Sequence, residues 1–401
     1  MKLLLDYGFS GTTPVSAGIG EPPRVALSVV EVEQKASDAA AIGIVLHDFS
    51  LGGTERIAVR LANEWAEKGR AVTIVCGTEK GPLRALLSPK VALVPLHPVI
   101  ERSFGSRRKL GRAAAAVFAV NAVDLVFIPG NFHWQVVPAL ARLPVATRPR
   151  IAVQLSTPLV RYDRGPIHQK IYNRWMRRLL RRADATISLE DTMTAQADSI
   201  LRNRITQRIR TPALEHAPSP SLPLDPKNRT IVAAGRLVAV KGFDTAISAF
   251  ALLEDRDARL IILGDGPLKE TLQRQAEQLG VADRVEFPGY VACIRPWLDK
   301  AGMFLLSSRY EGYPAVLIEA IAAGRPVVAT RCSPAVDELV DRTGFGASAP
   351  IEDPVALAGA MARVFAGCRP QAADMAAAVS PFGIENCARD YLRMFDTLCA
   401  A

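Results

Sequence analysis

The sequence predicts an α/β protein made of two doubly wound, Rossmann-like domains that face each other across a cleft. Three observations carry this. Short β-rich runs alternate with helical segments along most of the chain, the pattern of parallel sheets covered by helices on both faces. The alternation is interrupted at residues 211–228, where Pro212, Pro218, Pro220, Pro223 and Pro226 mark a linker. The length, 401 residues, suits two domains with sizeable cores.

Residues 1–40 show no clear period and hold Gly-, Pro- and Ser-rich pieces; they read as a loose extension or the product of an upstream start. The first domain, 41–222, opens with a strand at Ile42–Leu46, a loop at His47–Gly53 and a helix at Thr54–Lys68 that Gly69 ends. A strand at Ala71–Cys76, a helix around Leu110–Ala122 and strands at Leu125–Ile128 and Ile151–Leu155 follow. A helix near Ile167–Arg182 and a strand at Ala185–Ser188 complete it. The second domain, 223–380, repeats the scheme. Its expected strands are Ile231–Ala234, Leu260–Leu263, Val285–Phe287, Met303–Leu306 and Val327–Ala329. Its expected helices are Asp244–Leu253, Pro267–Leu279, Pro296–Lys300 and Pro314–Ala323. Ligands of such folds sit at the carboxyl ends of the strands, so the loops there hold the candidate site.

Composition excludes several classes. With 49% hydrophobic and 22% charged residues the chain is neither a disordered protein nor a disulfide scaffold. The best candidate for a membrane span, Ala113–Pro129, is broken by Asn121 and Asp124, and Asp6 cuts short the apolar start that a signal peptide needs. Cys76, Cys293, Cys332, Cys368, Cys387 and Cys399 form no C-x-x-C pair, which suits reduced thiols in the cytoplasm and argues against zinc. The net charge of +9 is uneven: −2 over residues 1–40, +14 over 41–222 and −3 over 223–401. Two clusters hold much of the excess. One is Arg102, Arg107, Arg108, Lys109 and Arg112. The other is Arg174, Arg177, Arg178, Arg181 and Arg182, interleaved with Trp175, Met176, Leu179 and Leu180 as in a basic amphipathic helix. This is either a solvated face or one that meets anionic lipid or an anionic acceptor. Neither cluster carries an aromatic platform or a nucleic-acid module, so nucleic acid is not expected as a partner.

Four loops of the second domain bear the candidate chemistry. Gly235-Arg236 and Lys241-Gly242 place two cations at a strand-to-helix loop, a pattern suited to a diphosphate. Gly264-Asp265-Gly266-Pro267 reads as a strand–turn–helix junction with Pro267 at the first helical position; it lacks the full G-x-G-x-x-G spacing. Gly289-Tyr290-Val291 presents backbone that suits a nucleobase or a simple turn. The segment SSRYEGYPAVLIEA is the most informative. Gly312, Tyr313 and Pro314 lead into a helix start that favours phosphate, with Glu311 just before it. Glu319 sits inside an apolar helix, where a carboxylate needs a partner: a nearby arginine, or ligand hydroxyls. In the first domain, the double glycine Gly52-Gly53 permits a tight turn or close approach to a phosphate.

With these motifs in order, the chain from about Ile42 onward resembles the family 4 glycosyltransferases of the GT-B fold. The E-x7-E pair Glu311 and Glu319 is the most specific element, supported by AAGRLVAVKGFDTAISAF and LIILGDGPLKETL. The resemblance implies that Arg236 and Lys241 hold the donor diphosphate and stabilise the leaving nucleotide, with Glu311 at the donor sugar as the third catalytic candidate. It implies that Glu319 binds ribose hydroxyls, that Gly52 and Gly53 meet the phosphate, and that Tyr290 and Val291 meet the base. Gly235, Gly264, Gly312, Tyr313 and Pro314 complete the donor site. It further implies retention of anomeric configuration, no metal or other cofactor, a nucleotide-diphosphate sugar as donor, and a segment 381–401 that crosses back onto the first domain. Many members carry a histidine after the strand matching Ile151–Leu155; here Ser156 stands at or near it, and His133 lies on a neighbouring loop, so these two are the acceptor-side candidates.

The expectation is therefore a cytoplasmic hexosyltransferase acting on a lipid-linked or polysaccharide acceptor in cell-surface glycan synthesis. Its basic first domain would contact the inner face of an anionic membrane. Another GT-B enzyme, such as an epimerase or a phosphorylase, and a non-enzymatic nucleotide-sugar-binding subunit are the alternatives.

Overall fold

The computed structural model describes residues 38–160, 164–202, 205–215, 225–367 and 370–401. Residues 1–37 of the expected extension, the linker prolines Pro218, Pro220 and Pro223, and Cys368 lie outside them.

The first sheet contains β1 (Ala41–Leu46), β2 (Ala71–Cys76), β3 (Ala92–Pro95), β4 (Leu125–Ile128), β5 (Arg150–Gln154), β6 (Ala185–Ser188) and β7 (Ile205–Arg208). All pairings are parallel, in the order β3-β2-β1-β4-β5-β6-β7. Helices α1 (Gly53–Glu67), α2 (Ser106–Val120), α3 (Val137–Leu140), α4 (Pro166–Leu180) and α5 (Asp191–Ile200) connect them. Both faces are covered, so β4 and β6 are buried at every position. Along β1, Ile42, Ile44 and Leu46 enter one core and Val45 the other, as alternate strand residues must.

The second sheet contains β8 (Thr230–Ala234), β9 (Arg259–Leu263), β10 (Val285–Gly289), β11 (Met303–Leu306), β12 (Val327–Thr330) and β13 (Gly346–Ala349). It is also wholly parallel, in the order β10-β9-β8-β11-β12-β13. Its helices are α6 (Phe243–Ala251), α7 (Lys269–Gln278), α8 (Arg295–Leu298), α9 (Ala315–Ala322), α10 (Pro334–Val336), α11 (Pro354–Ala366) and α12 (Ala372–Val379). The strand order reverses between β1 and β4 in one sheet and between β8 and β11 in the other. The loops after these four strands therefore diverge and leave a crevice at each carboxyl edge.

The last helix, α13 (Ile384–Ala400), packs on the first sheet. Its Tyr391 and Phe395 join Trp65 and Phe127 in an aromatic cluster with ring centroids 5.2–6.0 Å apart. Trp65 Nε1 donates to the Ala388 carbonyl at 3.3 Å, and Gln154 Nε2 donates to the Tyr391 hydroxyl at 3.0 Å. The two chain crossings run side by side. The Leu214 N–H donates to the Phe382 carbonyl at 3.2 Å and the Ile384 N–H to the Leu214 carbonyl at 2.9 Å.

Several expected helix starts shift: α2 begins at Ser106 rather than around Leu110, and two shifts bear on the site loops. α7 begins at Lys269, not Pro267, because Leu268 N–H donates to the Leu237 carbonyl and holds the preceding turn on the neighbouring loop. α9 begins at Ala315; Pro314 precedes it with ψ of 83°, outside the helical range. The edge strands β3, β7 and β13 and the helices α5, α11 and α12 were not expected from the sequence.

Candidate functional site

Backbone packing brings the second-domain loops together. Gly242 ends a short turn at Ala239–Lys241 and leads into α6 with φ of +62°. A Cβ there would also lie 2.1 Å from the Ser307 carbonyl, so both the conformation and the close approach demand glycine. The loops after β8 and β11 are thereby pressed against each other, and Ser307 Oγ adds a bond to the Lys241 carbonyl at 3.0 Å.

This apposition delivers two expected catalytic residues to one point. Lys241 Nζ lies 2.5 Å from Glu311 Oε1, and Ser308 Oγ donates to the same oxygen at 2.7 Å. Arg236, the third, follows Gly235 in the same loop as Lys241; it is exposed and makes no ion pair among the described residues. Arg309 fixes the loop from behind. Its guanidinium grips Asp244 through two bonds of 2.6 and 2.9 Å, meets Glu352 at 2.6 Å and donates to the Ala239 carbonyl. Burial would raise the Asp244 carboxyl, but the Arg309 fork outweighs it and holds the group below its ordinary value. Arg309 and Asp244 stood inside the quoted motifs, yet no sequence signal paired residues 65 positions apart.

Glu319 projects from α9, and its side chain makes no hydrogen bond or ion pair among the described residues. Burial raises its carboxyl, and Arg60 and Arg56 of α1, on the opposing domain, counter that only partly. Arg60 is already committed to Glu215 and to the carbonyls of Pro212 and Ala213. The Glu319 side chain lies between buried and exposed, so ligand hydroxyls can reach the carboxylate and donate to it.

The remaining positions expected at the donor lie on the neighbouring loops. Gly264 N–H donates to the Gly289 carbonyl at 2.8 Å, and a Cβ on Gly264 would lie 1.9 Å from the Gly235 carbonyl. The loops after β8, β9 and β10 are thus stacked backbone to backbone, with Tyr290 half-exposed at their edge and Val291 against the core. Tyr313 turns its ring toward Phe382, 5.8 Å away, and burial raises its hydroxyl strongly.

In the first domain, Gly52 precedes α1 with no side-chain cap, and the Glu55 carboxylate lies against it, so that a Cβ on Gly52 would fall 2.1 Å from Glu55 Oε2; a Cβ on Gly53 would meet no atom within 4 Å. Behind it, Arg102 forks between Asp48 and Glu55, the latter at 2.7 Å, and lies over the Phe132 ring at 4.5 Å. Arg102 was expected on an anion-facing surface; it instead braces the glycine loop. Arg177 is likewise diverted, donating to the Ile200 carbonyl at 2.8 Å.

The two acceptor-side candidates serve as loop braces. The Ser156 hydroxyl and N–H both donate to Asn131 Oδ1, at 3.1 and 2.8 Å, while Asn131 Nδ2 donates to Thr157 Oγ1 at 2.6 Å. His133 is fully buried. Its Nε2 accepts from the His47 N–H at 3.2 Å and its Nδ1 bonds the Pro129 carbonyl at 3.0 Å, and burial pushes the ring down to about 4. The domains touch where the Ser156 loop meets the glutamate loop: a Cβ on Gly312 would lie 1.8 Å from the Ser156 carbonyl. Lower on this seam, Arg208 pairs with Asp191 at 3.0 Å and with Glu338 of the second domain at 2.8 Å. Beside them Glu190 is buried; burial, then the nearby Glu338, raises it to about 7.

Among the described residues no cluster of His, Cys, Asp or Glu could hold a metal ion, and no helix is long and apolar enough to cross a membrane.

Two wholly parallel doubly wound sheets with their crevice loops in contact define the GT-B class of glycosyltransferase folds. A sucrose-phosphate synthase from Thermosynechococcus elongatus superposes with a TM-score of 0.74 at 19% identity, over 89% of this chain and 98% of that one. Anabaena HepE, solved in complex with UDP, gives 0.71 at 17% identity over 89% and 99%. Residues 51–207 match the model described as Glycosyltransferase Family 4, and residues 228–366 the one described as Glycosyl transferases group 1. The lipopolysaccharide core biosynthesis mannosyltransferase LpsB of Rhizobium meliloti is 31% identical over 250 residues, 57% of this chain and 70% of that protein. The chain belongs to glycosyltransferase family 4. Several other curated relatives are matched over less than half of their length.

Proposed function

We propose that the protein transfers a hexose, with retention of configuration, from a nucleoside-diphosphate sugar to a lipid-linked or polysaccharide acceptor in cell-surface glycan synthesis, working in the cytoplasm. The observation that carries this is the 2.5 Å pairing of Lys241 with Glu311 across the apposed loops after β8 and β11, with Arg236 in the same loop as Lys241 and Glu319 on the helix that follows Glu311. The names of LpsB and of the UDP complex of HepE support a sugar-transfer role and a UDP-type donor.

In this reading the Lys241–Glu311 pair is a placeholder. The pair is partly buried, its side chains 25% and 16% exposed, and Glu311 takes only one of the three Lys241 donors. Charge-assisted bonds to a diphosphate contribute about 1.5–3 kcal/mol each, so an entering donor draws Lys241 to itself. Glu311 is then free to accept from a sugar hydroxyl. As the glycosidic bond lengthens toward an oxocarbenium-like state, charge grows on the leaving diphosphate, and Arg236 and Lys241 oppose it. Two side-chain cations in this position supply charge compensation without a metal. The ribose sits on Glu319.

The test is a thermal-shift panel of UDP, GDP and ADP sugars, run with and without EDTA. One carrier should raise the melting temperature, as ligand binding requires, and Glu319→Ala should abolish that shift. Folded protein that shifts with no carrier at saturating ligand would sink the reading, and loss of the shift in EDTA would sink its metal-free part.

A further inference from the structure

The two basic clusters are separate in sequence but meet in the fold. α2 carries Arg108 and Arg112, Arg142 follows α3, and α4 carries Arg178 and continues into Arg181 and Arg182. These six arginines line one groove of about 750 Å³, with Trp175 on its wall and no acidic side chain in its lining. All six are exposed, and among the described residues none makes an ion pair. Arg182 alone is partly engaged, donating to the Ala141 carbonyl at 3.3 Å. Six unneutralised guanidiniums around one groove form a site for several phosphate-type anions at once.

A second feature lies on the same helix. Ile167, Ile171 and Trp175 recur every fourth residue of α4 and are 75%, 63% and 44% exposed. Spacing of four places them in one ridge, and Trp175 joins that ridge to the groove. An apolar ridge gains nothing from a dissolved anion or a charged polymer. A helix with an apolar ridge, an interfacial tryptophan and an arginine-rich flank matches the boundary between headgroups and acyl chains.

We infer that the face built by α2, α3 and α4 docks on an anionic bilayer, with lipid phosphates in the arginine groove and Ile167, Ile171 and Trp175 in the headgroup–acyl boundary. This does not rest on the transfer reading, since no donor-site residue takes part. The basic contribution comes from Arg108, Arg112, Arg142, Arg178, Arg181 and Arg182, not from Arg102 or Arg177.

The experiment is co-sedimentation of the full chain with phosphatidylglycerol–phosphatidylcholine vesicles and with phosphatidylcholine alone. Binding to the anionic vesicles only is expected. Arg178→Glu with Arg181→Glu should weaken it at least about tenfold. Arg256→Glu with Arg274→Glu, an equal charge change on the second domain, should leave it unaltered. Ile167→Ser with Ile171→Ser, two exposed positions that do not threaten folding, should remove the binding that survives high salt. No sedimentation with anionic vesicles overturns the inference. So does equal loss in the control pair, equal binding to neutral vesicles, or tight binding to heparin that the serine variant does not affect.

Discussion

Gly312 shows how much a single hydrogen can govern. A methyl group in its place would lie 1.8 Å from the Ser156 carbonyl, so the second-domain loop must retreat from the first. Gly312→Ala is expected to keep the fold, read by circular dichroism, while kcat/KM falls at least about tenfold, because displacement by an ångström suffices for such losses. Glu190 governs the same seam through charge. Its carboxyl is raised from 4.5 to about 7, so the folded state keeps a proton that the unfolded state has released. Folding stability therefore falls as pH rises from 4.5 to about 7 and levels off above. Glu190→Gln should flatten that slope and raise the melting temperature at pH 8 by about 2–4 °C. Calorimetry across the pH range checks both, and an unchanged slope in the variant would refute the assignment.

At the scale of elements, the loop between β11 and α9 owes its position to Arg309. Arg309→Ala should raise the donor KM about tenfold with a small change in melting temperature, since it releases Glu311 and opens no core cavity. Steady-state kinetics paired with a thermal melt separate the two. Much of this level was legible in the sequence. The buried strands β4 and β11 are continuous apolar runs, and β1 and β2 are broken only by Gly43 and Thr73, so their positions follow from that. β7, with the sequence ITQR, and β13, with GASA, are edge strands that lack such a run, so nothing marked them. The site divides in the same way. Glu311, Glu319, Arg236 and Lys241 were legible because motif spacing is local. The pairing of Lys241 with Glu311, the Arg309 fork and the Gly312–Ser156 approach join distant segments, and only the packed sheets reveal them. Ser156 is an acceptor-side candidate because it stands at or near the position of a histidine in many family members, and His133 because it lies on a neighbouring loop; the Ser156 hydroxyl is spent on Asn131 and the His133 ring nitrogens on the His47 N–H and the Pro129 carbonyl.

At the scale of the whole molecule, α13 supplies part of the first sheet's core from beyond the second. Phe395→Ala should cost about 3–5 kcal/mol, and the loss should appear in the melting of the first domain. Removal of residues 384–401 should leave that domain without a cooperative transition, while the second domain, whose own core contains none of α13, still melts as a unit. Differential scanning calorimetry distinguishes the two outcomes. The same clasp sets an order of events during synthesis. Trp65 and Phe127 emerge from the ribosome early, yet the rings that cover them are made after the entire second domain. Until then this aromatic face stays open to chaperones, and the nascent first domain waits, incomplete, for the far end of its own chain.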